Sequence, residues 1–136
     1  MKVYIALYCH CQIVNVIGIY KSEYAASGKC RGIFNDRTQP DDVNSKVEEV
    51  DLGDHIKKIP MDLFVICDCR EDNIFDEEGG LKIMHGCFLH FATADRVALS
   101  ICPDYRKGRK VSLRIEKVRT DRNKSYDSII VAGGNV

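Results

Sequence analysis

Foremost among the side chains of this 136-residue chain that could ligate a metal or attack an electrophile are its seven cysteines and four histidines. Four of the cysteines form two Cys-x-Cys pairs, Cys9 with Cys11 and Cys67 with Cys69. Each pair follows a β-rich apolar run, and in an extended strand residues i and i+2 point to the same face. If the two strands lie side by side, four thiolates converge, and a tetrahedral zinc site is the chemistry they could do. His10 adds a nitrogen beside the first pair, and His85 with Cys87 adds a nitrogen–sulfur pair. The alternative for all seven cysteines is the ordinary role of a small buried hydrophobe. Their odd number, without an export signal or a framework spacing, favours free thiols in a reducing compartment over disulfides. Apart from zinc, the residues suggest no cofactor.

A second cluster is basic. Nine Lys or Arg and two acids fall between Arg106 and Lys124. Arg106, Lys107 and Arg109 crowd a turn, and the strand after it carries Lys110, Ser112 and Arg114 on the face opposite Val111, Leu113 and Ile115. Arg106, Lys107, Arg109, Lys110 and Arg114 could together bind a phosphate-bearing small ligand, an acidic protein or a nucleic acid. The alternative is a solvated outer face whose cations defend a sheet edge. Only Tyr105 and Tyr126 are near enough to stack on bases, which disfavours single-stranded nucleic acid. The acidic stretch Asp72 to Gly80 offers oxygens to calcium, but its spacing reads as a solvated hairpin turn. Phosphate-loop, nucleophile-elbow and His-Glu-x-x-His motifs are missing.

The elements that must position these residues follow from pattern. Val3–Tyr8 and Ile13–Tyr20 read as a hairpin of two strands. Ser22 is an N-cap residue, and a helix runs from there to about Asn35. Lys46–Leu52 reads as a strand and Asp54–Ile59 as a helical turn stopped by Pro60. The order then restarts. Leu63–Cys67 and Leu81–Phe91 read as strands, Thr93 as the N-cap of a helix over Ala94–Ile101, and Lys110–Val118 as a strand. Ser128–Ala132 reads as a last short strand.

The halves match beyond element order. Tyr8-Cys9-His10-Cys11 aligns with Ile66-Cys67-Asp68-Cys69, and Ile19-Tyr20-Lys21-Ser22 with His90-Phe91-Ala92-Thr93. The expectation is an α+β fold of two diverged ββαβ repeats, residues 1–53 and 61–119, within a single domain 1–136. Their strands would form one mainly antiparallel sheet, or two facing sheets, covered by two helices.

Charge is uneven although the net charge is zero: +3 over residues 1–35, −9 over 36–78 and +6 over 79–136. Such a dipole steers an oppositely charged partner or lets copies associate head to tail, so a homo-oligomer is expected. No apolar run reaches the roughly 18 residues of a membrane span, and the first residues are too short and too alternating for a signal peptide. A cytoplasmic protein without a membrane partner is the expectation.

Two local resemblances add to this. Val3-Tyr4-Ile5 through Ile17-Gly18-Ile19-Tyr20-Lys21-Ser22-Glu23-Tyr24-Ala25-Ala26 resembles the opening ββα unit of many small phage and bacterial proteins. That resemblance implies an accessory or inhibitor protein that acts by binding. Leu89-His90-Phe91-Ala92-Thr93-Ala94-Asp95-Arg96-Val97 is similar to a segment of a small bacterial family with an ADP-ribosyltransferase-like fold. It implies an enzyme using His90 and an arginine. The family's Tyr-His motif before a helix has no counterpart, because residues 50–60 hold only His55. The leading expectation is a small non-enzymatic binding protein acting through its basic strand. The alternatives are an ADP-ribosyltransferase-like enzyme and a zinc-stabilised interaction module.

Overall fold

The computed structural model describes residues 1–10, 13–35, 44–68, 84–107 and 113–121. The fold is α+β, with two antiparallel three-stranded sheets and two helices. The first sheet contains β1 (Lys2–His10), β2 (Ile13–Tyr20) and β3 (Asn44–Asp51) in the order β2-β1-β3. The second contains β4 (Asp62–Asp68), β5 (Met84–Phe88) and β6 (Leu113–Arg119) in the order β5-β4-β6. Helix α1 (Glu23–Asn35) lies between β2 and β3 in the chain, and α2 (Phe91–Ile101) between β5 and β6. Each sheet is thus built by one ββαβ run with its first strand in the middle.

Side-chain alternation explains the layers. Val3, Ile5 and Leu7 of β1 and Leu63, Val65 and Cys67 of β4 meet in one core between the sheets. The other faces of the same strands turn outward to the helices. Ala6 and Tyr8 join Ile17 beneath Ala26 and Cys30 of α1. Ile66 and Leu113 lie beneath Ala94 and Ala98 of α2. Both central strands are therefore buried on two faces, and each helix buries an i, i+4 pair of small residues that lets it sit close to its sheet. The Oγ of Ser22 accepts the Ala25 N–H at 3.1 Å and caps α1.

Backbone pairing sets the equivalence of the two units. Ala6 lies opposite Gly18 and Leu7 opposite Val16, so Ile17 is an extra residue in β2. Ile66 lies opposite Gly86 and Cys67 opposite Met84, so His85 is the extra residue in β5. The same bulge recurs 60 positions on in the central strand and 68 positions on in its neighbour. At the far end of the strands the Leu52 N–H donates to the Met1 carbonyl at 2.8 Å, and the Thr120 N–H to the Met61 carbonyl at 2.9 Å. These positions keep the same offsets.

This register corrects two expected alignments. Leu7 stands where Cys67 does, and Tyr8 where Asp68 does, so Cys67 is not the counterpart of Cys9. Helix α2 starts at Phe91 with His90 in extended conformation as its N-cap, not at Ala94 after Thr93. His90 occupies the position of Ser22, and the ring of Phe91 packs edge-on against Phe64 with centroids 5.9 Å apart, which holds the first turn. Within residues 54–59 there is a turn at Asp54–His55 in place of a longer helical turn. Ile56 and Ile59 pack against the inter-sheet core there, which draws the linker across the sheets' end. The expected strand Ser128–Ala132 lies outside the described residues. Among the described residues, no helix is long and apolar enough to cross a membrane.

Candidate functional site

The hairpin ends of the two sheets lie together. A guanidinium N–H of Arg114, on β6, donates to the carbonyl of Val14, on β2. Val14 lies opposite Cys9 at the end of β1, and Arg114 opposite Cys67 at the end of β4. That end of the molecule therefore collects Cys67, Asp68, His85, Arg114 and Glu116.

Of the four expected zinc ligands, Cys67 is fully buried among the inter-sheet residues, with Sγ 4.0 Å from Oε2 of Glu116. The side chain of Cys9, and Cys11 and Cys69 altogether, lie outside what is described. Among the described residues no group of three or more His, Cys, Asp or Glu is placed to hold a metal ion. His85 and Cys87 do not share a face as their spacing suggests. The bulge lets Cys87 join the inter-sheet core, where burial pushes its thiol up to about 12.

The described members of the basic set fall in two layers. Arg106 and Lys107 belong to a 3-10 turn, Tyr105–Lys107, that packs on α2. Asp95 of α2 accepts from the Tyr105 hydroxyl and, through both carboxylate oxygens, from Arg106. Arg106 and the Tyr105 hydroxyl hold the Asp95 carboxyl below the usual carboxylate range, and the same pairing raises Arg106. Lys107 reaches Asp104 at 3.2 Å, yet its side chain is 76% exposed and that of Arg106 61%.

Arg114 sits elsewhere. It pairs with Glu116 at 3.2 Å on the face of β6 that looks between the sheets, while Leu113 and Ile115 pack under α2. The face expected to be a plain outer surface is thus the rim of the sandwich, because the second sheet is covered on both sides. At the equivalent positions of β3, Lys46 pairs with Glu48 at 2.8 Å. Charges pointing inward at both outer strands are a known defence of sheet edges. Arg109, Lys110, Ser112 and Val111 lie outside the described residues, as does the acidic stretch Asp72 to Gly80.

One polar pair was not foreseen in the sequence. Nε2 of His85 lies 2.7 Å from Oδ2 of Asp68; the Asp68 side chain is 1% exposed and that of His85 9%. Asp68 ends β4, and the bulge turns His85 to the same helix-facing side. Gly86 makes this possible with φ at +144°, a conformation that side-chain-bearing residues rarely adopt. The unit built on β1 has Tyr8 and Ile17 at the two equivalent places. Two residues seventeen apart, joined only through a bulge, leave no spacing signal. His55 and His90 are exposed, and His90 makes no side-chain capping bond.

Comparison with known proteins adds no relative: no family model, curated protein or solved structure matches this chain.

Proposed function

We propose that the protein is a binding protein that recognises an oxyanion-bearing partner, an acidic protein or a phosphate-bearing ligand, through the basic segment that follows α2. The observation that supports this reading is the state of Arg106. Its Nε and one Nη are spent on the two oxygens of Asp95, which fixes the guanidinium plane and leaves the remaining N–H donors on a side chain that is mostly exposed. Lys107 follows it with an exposed ammonium group. The chain then continues through Arg109 and Lys110. Such a cation pair, one member fixed on Asp95 and one on an exposed, rotatable stem, suits carboxylate or phosphate oxygens better than two flexible lysines would. The small size, and the resemblance of the opening unit to phage and bacterial accessory proteins, suit a role exerted through such contact.

Charge reversal tests the reading. Arg106→Glu with Lys107→Glu is applied to columns of immobilised poly-glutamate and of polyphosphate. The natural chain is expected to be retained at low salt on at least one and to elute as salt screens the contact, and the variant to pass through. Equal retention of both chains, with unchanged far-UV circular dichroism, refutes the assignment.

A further inference from the structure

We propose that Asp68 and His85 form a general-base dyad, in which His85 accepts a proton at Nδ1 from a hydroxyl, thiol or water at the hairpin end of the second sheet. Asp68 is its positioning residue. This goes beyond the basic-segment reading and uses none of its residues, so either can fail alone.

Three observations carry it. First, the pair is not demanded by the fold. The same chain fills the two equivalent places beneath α1 with Tyr8 and Ile17, in a unit with the same bulge and topology. A buried Asp–His pair costs desolvation that an apolar filling avoids, and such sites are where chemistry is concentrated. Second, the geometry orients the ring. With Nε2 2.7 Å from a carboxylate that is 1% exposed, the Nε2 proton is fixed and the lone pair is on Nδ1. Among the described residues Nδ1 has no hydrogen-bond partner. A carboxylate that orients an imidazole is the supporting half of a nucleophile–base–acid arrangement. Third, the ionisable cluster that packs on α2 is satisfied within itself. Asp95, Tyr105 and Arg106 are bonded to one another. On β6, Leu113, which packs under α2, lies opposite Asp68. An oriented base that activates water suits an acyl substrate whose leaving group departs without needing a proton.

With p-nitrophenyl acetate as probe, water attacks the acyl carbon as its proton passes to Nδ1. The bond to the nitrophenyl oxygen breaks, nitrophenolate leaves with the electron pair, and the imidazolium returns its proton to solvent. The informative variant is His85→Gln, whose amide can still donate to Asp68 but is no base. The natural chain is expected to release nitrophenolate at least tenfold faster than His85→Gln, with a rate that rises with pH through one inflection. Asp68→Asn should lower the rate and displace that inflection, which a merely structural role would not do. The double variant Asp68→Tyr with His85→Ile, which copies the other unit, provides a folded control should His85→Gln lose its circular dichroism. A natural chain no faster than whichever of these variants is folded overturns the proposal.

Discussion

Replacing His85 by Ile isolates the cost of the buried pair, because Ile17 already fills that position in the other unit. The substitution removes a 2.7 Å partner from a carboxylate that is 1% exposed. Leaving a buried carboxylate without one of its donors costs about 3 kcal/mol. A chain of this length lies between the size classes in which 1 kcal/mol moves Tm by about 4–8 °C and by about 2–4 °C, so Tm should fall by about 10–20 °C. Adding Asp68→Tyr removes the buried carboxylate and restores the Tyr–Ile combination, and should recover most of the loss. Apolar replacement of a whole buried pair is often neutral or stabilising. Urea unfolding of the natural chain, both single variants and the double variant, followed by circular dichroism, gives the coupling between the two sites. A His85→Ile cost below about 1 kcal/mol would place the pair within the range of ordinary substitutions and refute the reasoning. A double variant no more stable than the sum of its singles would do so as well.

Two further outcomes follow from single contacts. Gly86→Ala should lower the urea midpoint by the equivalent of roughly 1–3 kcal/mol, since φ is +144° and a Cβ there would come within 2.7 Å of the Phe88 ring; an unchanged midpoint would show that β5 does not need this conformation. Asp95 has a carboxyl held below its ordinary 3.8 by Arg106 and Tyr105, so its contribution to stability is present above that value and is lost as pH falls through the lower folded-state value. Thermal midpoints measured down to about pH 2 should therefore fall more steeply for the natural chain than for Asp95→Asn, and parallel acid limbs would remove Asp95 from the account.

Much of the fold was legible because alternation and capping are local. Ile13–Tyr20 coincides with β2, the Ser22 cap starts α1, and the restart after Pro60 announces the second unit. The start of α2 departs from the sequence pattern because Thr93 is a good capping residue by type. What decides the start is the strand register that puts His90 where Ser22 stands and the packing of Phe91 on Phe64. The expected alignment of the two Cys-x-Cys pairs failed for a similar reason: identical spacing after a strand does not say which residue faces which across the ladder.

By itself, then, the sequence determined the class, the two-unit order and the strands and helices, because periodicity, caps and turn residues act over a few neighbours. It also marked the basic segment, since charge is a property of composition. Tertiary structure alone decided that the units stack sheet on sheet with one helix outside each, and that Arg114 turns inward to Glu116 and Val14 while Arg106 is clasped by Asp95 on α2. It alone brought Asp68 to His85. The physical reason is the bulge: one extra residue reverses which side chains face the helix, and that slip is set by pairing with a strand many residues away.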